Sequence, residues 1–229
     1  MRRFALLTTM LAASAPVLLT AQLTTPTDWK WRQDVAAPLA SGATMEPGSW
    51  VFVRMPPGWH VTTGPGVLLY PTSNGDVAGS FSLEADIFLF PGESQEEFGL
   101  FLGGQDIDSP GAPDYAAFVL RRDGHAAVLR RAGAQTTAVA NWQRHESIVA
   151  HTGGKDAVKN TIRVDVDQLN ATMLVNGVKV LSVAREGLKT DGRIGFRIGK
   201  DVNLHIATLN VTRRLAPVPP PKTTAEKKA

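Results

Sequence analysis

Trp59 and His60 are the residues best suited to hold a ligand in the first third of the sequence. They lie in the run Gly58–Pro65, which has turn-forming residues on both sides. An indole beside an imidazole can offer a sugar ring an apolar face together with a hydrogen-bonding group. The alternative is that Trp59 closes one end of an apolar core, because large aromatic side chains are usually well buried.

A second set of candidate ligand-binding residues, Tyr115, Arg121 and Arg130, lies in two apolar runs joined by Asp123-Gly124. Aspartate and glycine tolerate the torsions of a two-residue turn, so the sequence predicts a tight β-hairpin. If Asp123 and Gly124 alone form the turn, Tyr115, Arg121 and Arg130 lie on one face of the hairpin. The other face carries Phe118, Leu120 and Leu129 and is the one expected to be in the core. The N–H donors of a guanidinium group and the ring of a tyrosine suit hydroxyl-rich or carboxylated ligands. The alternative is that this face of the sheet is simply exposed to solvent.

Asp106, Asp108 and Asp114 give the segment around Gly111 the carboxylate density of a calcium loop. Calcium prefers about six or more oxygen ligands, but the spacing here lacks the closing glutamate of an EF-hand loop. Loops rich in Asp, Gly and Pro also occur without metal. We therefore expect no cofactor, with calcium as the alternative.

The histidines are not spaced as metal ligands on any one element. A zinc site assembled in space remains the alternative to ordinary surface or core histidines. The sequence also has no Gly-x-Ser-x-Gly motif and no phosphate-binding glycine loop before a helix. We predict neither a catalytic residue nor a metal ligand. The five histidines are His60, His125, His145, His151 and His205.

Composition excludes several kinds of site. The 229 residues include no cysteine, which rules out disulfides, thiolate metal sites and a cysteine nucleophile. The formal charge of +3 comes from the two ends. Taking away Arg2 and Arg3, and the net +2 of residues 217–229, leaves −1. Nucleic acid requires clustered lysine and arginine, so we do not expect it as a partner.

Residues 1–21 have the pattern of a signal peptide, with Arg2 and Arg3 before the apolar run Phe4–Leu19 and a small residue, Ala21, at the end. A retained N-terminal anchor is the alternative. No later segment is long and apolar enough to span a membrane. We therefore expect a secreted or periplasmic protein.

The rest of the chain divides into three parts. Residues 22–47 form a polar lead-in, in which the alternation at Trp29-Lys30-Trp31 predicts an edge strand or an ordered segment. Residues 48–216 contain short apolar runs about every 8 to 12 residues, separated by turn residues, as in a β-sandwich. Residues 217–229 are rich in proline and lysine and are predicted to be disordered.

Two further patterns support an all-β domain. The run Phe81–Phe90 alternates apolar and polar residues, which predicts a strand with one buried face. Asn176-Gly177 lies between two more apolar runs and predicts a second tight hairpin. No segment has a convincing helical period.

Several of these strands together resemble the concanavalin A-like lectin/glucanase superfamily, from Trp50 to Leu215. The order of the segments is most similar to laminin-G-like jelly rolls and to the bacterial 3-keto-disaccharide hydrolase family. The resemblance implies an antiparallel two-sheet jelly-roll sandwich, often secreted and often acting on glycans. The segments are Phe81–Ile87, Tyr115–Arg122, Asn160–Val164, Leu174–Val178 and Asp191–Arg197.

Glu84 and Asp86 resemble the paired carboxylates that laminarinase-like members of the superfamily carry on one strand. Retaining hydrolysis needs two such groups about 5 Å apart. The position two residues beyond Asp86, where the second catalytic glutamate would project, is occupied by Phe88. We therefore interpret the two carboxylates as solvated.

The expected function is that of a monomeric, secreted, lectin-like domain that binds a carbohydrate or another extracellular polymer without catalysis. The ligand-binding residues would be Trp59, His60, Tyr115, Arg121 and Arg130. The alternatives are a glycoside-cleaving enzyme, as the resemblance implies, and a structural or interaction module of the cell surface. A fold of this kind does not decide among them, because function depends on the site.

Overall fold

The computed structural model describes residues 25–34, 50–109 and 112–214, which form two antiparallel β-sheets. The first sheet contains β1 (Trp29–Gln33), β4 (Val67–Pro71), β5 (Asp76–Val77), β7 (Phe98–Gln105), β8 (Asp114–Leu120), β9 (His125–Ala132), β10 (Gln135–Arg144) and β14 (Gly192–Ile198). The second contains β2 (Val51–Arg54), β3 (Trp59–Thr62), β6 (Ser80–Leu89), β11 (Val158–Val166), β12 (Asn170–Val175), β13 (Val178–Ala184) and β15 (Asn203–Arg214).

Neighbouring strands in each sheet are often distant in sequence. The first sheet has the order β1-β4-β14-β7-β8-β9-β10, with β5 also beside β14. The second has the order β13-β12-β11-β6-β15-β3-β2. This arrangement confirms the predicted all-β, two-sheet antiparallel jelly-roll sandwich.

The main core lies between the two sheets. On β6 every second side chain from Phe81 to Leu89 is buried there, while Glu84 and Asp86 point to the other side. The alternation predicted for this strand is therefore confirmed. Burial of such a row of apolar side chains is the main source of stability in a fold that has no disulfide.

The first sheet is also buried on its outer face, which we define as the face turned away from the second sheet. A second apolar cluster lies there, with Trp142 packed against it. The sequence of β8 is therefore a nearly continuous apolar run, because side chains on both of its faces are buried. The cluster consists of Leu68, Tyr70, Phe101, Ile107, Tyr115, Ala117, Val119, Ala127 and Leu129.

An aromatic group ties β1 to the core. The ring centroid of Trp29 lies 4.9 Å from that of Trp59 and 5.8 Å from that of Phe196. Trp31 packs on Trp50 at 4.7 Å. The Trp-Lys-Trp alternation therefore marks an edge strand, and the sandwich begins before residue 48.

The Asn176-Gly177 hairpin is confirmed. Val175 pairs with Val178, and both turn residues have positive φ, 52° for Asn176 and 82° for Gly177. These are the torsions that the two-residue turn requires.

The register predicted for the Asp123-Gly124 hairpin is wrong by one residue. Gly124 has a φ of 88°, but Asp123 is not among the residues with positive φ. The Arg121 amide donates to the His125 carbonyl over 2.8 Å, so the loop contains three residues instead of two. A three-residue loop with one left-handed glycine is the next most common hairpin connection.

This shift exchanges the faces of two residues on β9. Ala117 pairs with Leu129 and Ala116 pairs with Arg130, whereas the predicted register paired Ala117 with Arg130. Leu129 therefore lies in the outer-face cluster and not in the main core. Arg130 moves to the opposite side of the sheet from Tyr115 and Arg121, because neighbouring residues on a strand alternate.

The predicted signal peptide, residues 1–21, and the predicted disordered tail, residues 217–229, lie outside the described residues. Within the part of the chain that the structure describes, no helix is long and apolar enough to cross a membrane.

Leu120 and Leu169 offer a matched test of the core. Leu120 is fully buried, and Leu169 is 75% exposed. We expect Leu120→Ala to lower the free energy of unfolding by about 2 to 5 kcal/mol, because a cavity adds to the lost transfer energy. Leu169→Ala should change it by less than about 0.5 kcal/mol. Equal effects in urea denaturation would contradict the assignment of Leu120 to the core.

Candidate functional site

A buried ionic cluster lies on the outer face of the first sheet, centred on Arg197 of β14. Arg197 Nε donates to Asp34 Oδ2 over 2.9 Å and to the Tyr115 hydroxyl oxygen over 3.0 Å. The Tyr115 hydroxyl donates to the same Asp34 oxygen over 2.8 Å. Arg197 Nη1 bonds Glu97 Oε1. The side chains of Arg197 and Asp34 are 12% and 4% exposed, so this is a cluster of desolvated charges.

The charges in the cluster stabilise one another. Burial raises the pKa of Glu97, but the attraction and hydrogen bond of Arg197 outweigh burial and hold that pKa below its ordinary value. Burial lowers the pKa of Arg197, yet Tyr115, Asp34 and Glu97 together raise it well above the ordinary range. Burial also raises the pKa of Tyr115. At neutral pH the cluster therefore holds the cationic guanidinium of Arg197, the anionic carboxylate of Glu97 and the neutral phenol of Tyr115.

The cluster draws on four elements of the first sheet. Asp34 follows β1, Glu97 precedes β7, Tyr115 belongs to β8 and Arg197 to β14. Gly99 of β7 is the direct partner of Arg197. A Cβ on Gly99 would lie 2.2 Å from the Phe118 carbonyl oxygen, so this position requires glycine.

The accessible part of the site lies beside the cluster. The Arg121 guanidinium carbon stands 3.8 Å from the centroid of the Trp142 ring, as in a cation–π contact. Arg121 also contributes to the lowered pKa of Glu97. Arg121 and Trp142 are both half-buried. The accessible aromatic surface and guanidinium therefore lie at the edge of the apolar outer face, near the ionised Glu97 carboxylate, whose side chain is 12% exposed.

The structure brings together two of the five residues predicted from sequence. Tyr115 and Arg121 both lie on the outer face of the first sheet. Tyr115 is only 1% exposed, and its hydroxyl is bonded to Asp34 and Arg197. Tyr115 therefore holds other side chains in place, whereas Arg121 is accessible to a ligand.

Arg130 does not lie with them. Its guanidinium pairs with Asp114 and donates to the Tyr115 carbonyl oxygen over 3.0 Å. Lys189 also pairs with Asp114 at 3.0 Å. Arg130 therefore belongs to an ion cluster at the end of the strand, which corrects its predicted position on the face of Tyr115.

Trp59 and His60 lie on the second sheet and point to opposite sides. Trp59 packs against the main core, as in the alternative interpretation of this tryptophan. His60 stands directly opposite His205 on β15, and its ring centroid is 5.4 Å from that of Phe90. Burial, and then the nearby His205, lower the pKa of His60. These two residues do not form one site.

The carboxylates on β6 lie on the outer face of the second sheet, far from the Arg197 cluster. Asp86 pairs with Lys159 at 2.9 Å and accepts from Thr161 over 2.5 Å. Burial raises the pKa of Asp86, but these bonds outweigh it and keep that pKa below the ordinary value. Glu84 lines a groove of about 280 Å³ that also contains Arg163 and Arg214.

The aspartates of the possible calcium loop are paired with cations. Asp108 contacts Lys30 at 3.0 Å and Arg193 at 3.4 Å, and Asp114 contacts Arg130 and Lys189. Across residues 25–34, 50–109 and 112–214, no group of three His, Asp or Glu side chains is placed to hold a metal ion.

Sequence reasoning missed four residues of this site: Asp34, Glu97, Arg197 and Trp142. Asp34 and Arg197 are 163 positions apart, and no local pattern links them. The available signal was the arginine at 197, which stands in the strand Gly192–Ile198 with buried residues on both sides. A charge in such a strand requires a partner.

Three solved structures with similar folds are compared with the chain. The chain resembles the carbohydrate-binding module CBM66 from Bacillus subtilis, with a TM-score of 0.56 and 9% identity over 72% of this chain and 96% of that one. It resembles a GH16 protein of the Bacteroides ovatus mixed-linkage glucan locus, with a TM-score of 0.53 and 11% identity over 83% and 97%. It also resembles an alginate lyase, with a TM-score of 0.51 and 14% identity over 82% and 95%.

These likenesses establish the fold as a concanavalin A-like jelly roll, as the resemblance in sequence implied. No protein-family model matches the chain, and no curated protein matches it.

Glu97 should make stability depend on pH. Its folded pKa lies below the ordinary value of 4.5. The unfolded chain therefore binds the proton more tightly, and the contribution of Glu97 to stability is present above pH 4.5 and lost as pH falls through the folded pKa. Urea denaturation between pH 6 and about pH 3 should show a smaller pH dependence in Glu97→Gln than in the wild type.

The matched control is Glu96→Gln, because Glu96 is exposed and next in sequence. That variant should keep the pH dependence of the wild type. An unchanged slope in Glu97→Gln would show that Arg197 does not stabilise the ionised form of Glu97.

Proposed function

We propose that this protein is a secreted, lectin-like domain that binds a carbohydrate without cleaving it. The ligand would lie on the outer face of the first sheet, against Trp142, Arg121 and Glu97. The observation that carries the proposal is the Arg121–Trp142 stack, 3.8 Å from guanidinium carbon to ring centroid, at the edge of a rigid ionic cluster.

The chemistry of these three side chains suits a sugar. The part of the Trp142 ring that the Arg121 guanidinium does not cover supplies an apolar surface for the C–H groups of a pyranose. A guanidinium fork donates several hydrogen bonds in a fixed plane, and a carboxylate accepts hydrogen bonds from hydroxyl groups. The neighbouring cluster holds Glu97 in one position, so a ligand would meet a prearranged acceptor.

The carboxylates support binding better than hydrolysis. Glycoside cleavage needs a carboxylic acid with a raised pKa to protonate the leaving group. Glu97 and Asp86 both have lowered pKa values and are bonded to cations. Asp34 is bonded to Arg197 and Tyr115 and is almost fully buried.

The predicted signal peptide supports a glycan ligand outside the cell. Residues 1–21 have the pattern of such a peptide. The similar structures include a carbohydrate-binding module and an alginate lyase by their names. Carbohydrates are therefore the first ligands to test.

Trp142→Ala and Arg121→Ala should each weaken glycan binding about tenfold, which is about 1.4 kcal/mol. Affinity electrophoresis in mixed-linkage β-glucan and in alginate, followed by a glycan array, measures the change. Arg213→Ala is the matched control, because Arg213 is an exposed arginine on β15 of the second sheet, away from this face. Binding that survives both site variants would move the site away from this face.

We expect no release of reducing sugar from mixed-linkage β-glucan by the wild-type protein. The reason is that no carboxyl group of the site is available as a general acid for hydrolysis. Turnover that disappears in Glu97→Gln would instead assign a catalytic role to this carboxylate and favour the glycoside-cleaving alternative.

A further inference from the structure

Arg122 is a buried arginine to which no carboxylate is hydrogen-bonded in the part of the chain that the structure describes. It is 8% exposed, in the loop between β8 and β9. Its Nε donates to the Ser94 carbonyl over 3.1 Å, and its Nη2 donates to the Phe90 carbonyl over 3.1 Å. Nη1 is buried and has no hydrogen-bond partner among the described residues. Two carbonyl oxygens do not neutralise the charge, and burial lowers the pKa of Arg122.

A second buried donor without a partner is next to this loop. His151 is 5% exposed, and its amide donates to the Arg122 carbonyl over 2.9 Å. Its Nδ1 accepts from the Gly153 amide over 3.3 Å, so Nε2 carries the proton of the neutral ring. Nε2 is buried and bonds nothing in the described structure. Unsatisfied buried donors are rare in folded proteins and call for an acceptor.

Glycines are neighbours of both residues. A Cβ on Gly92 would lie 3.4 Å from Arg122 Nη2, so a side chain there would cover the guanidinium. Gly153 and Gly154 are exposed, and a Cβ on either would meet nothing within 4 Å. Glu93 is also exposed, and it acts on Arg122 only through space.

We propose that Arg122 and His151 form a subsite for an anionic oxygen group, a carboxylate or a sulfate. The ligand would supply the acceptor that Nη1 and Nε2 lack and the negative charge that the buried guanidinium lacks. Arg121, the next residue, belongs to the proposed glycan site. The inference that the anion is an acidic sugar therefore rests on the proposed function, whereas the anion site itself does not.

Thermal unfolding of the purified full chain tests the subsite with three probes: sodium glucuronate, glucose and sodium sulfate. Sodium chloride holds the ionic strength constant. At about 50 mM glucuronate or sulfate, Tm should rise by about 3 °C more than in glucose. The difference should disappear in Arg122→Gln and remain in Arg144→Gln, whose arginine is exposed at the same end of the sheet.

His151→Gln is measured alongside, because it leaves the bonds from Arg122 to Ser94 and Phe90 in place and should lose most of the shift. A shift with sulfate alone would support the anion site and assign it to a free anion instead of a sugar acid. Equal shifts in glucose and glucuronate, or shifts that survive Arg122→Gln, would overturn the proposal. Loss of glucan binding in Trp142→Ala with the anion shift intact would show that the two sites are separate.

Discussion

A guanidinium that is largely removed from water is stabilised by anionic partners at hydrogen-bonding distance. The guanidinium of Arg197 is such a group, and its partners lie on or beside several strands of the first sheet. Its partners are Asp34 after β1, Glu97 before β7 and Tyr115 on β8. Removing one partner would leave a buried charge uncompensated, which typically costs about 3 to 5 kcal/mol. The cluster therefore fixes the relative positions of these strands. The accessible Arg121–Trp142 surface is held against this rigid base.

The periodic parts of the fold could be predicted from sequence. β6 has one buried face, so its alternation appears directly in the residues. Asn176-Gly177 specifies its turn because both residues adopt positive φ. Asp123-Gly124 has the same appearance but forms a three-residue loop, in which Asp123 Oδ1 accepts from the His125 amide over 3.2 Å. A one-residue difference in loop length was enough to exchange the faces of Leu129 and Arg130.

The site could be predicted only in part, because its residues are joined by tertiary contacts. Tyr115 and Arg121 could be placed on one face because residues 115–121 lead into a recognisable turn. Trp142 was missed because β10 is an exposed edge strand with two irregularities of register, which hide its alternation.

The strand order has a consequence for folding kinetics. β14 lies between β4 and β7, and β15 lies between β3 and β6, so each sheet is completed by strands from the end of the described chain. Contacts of such high sequence separation give a large contact order. A large contact order slows folding, because the entropy cost of closing long loops comes before the stabilising contacts form. During synthesis, Asp34 emerges 163 residues before Arg197. The ionic cluster that supports the Arg121–Trp142 surface can form only after nearly the whole domain has been made.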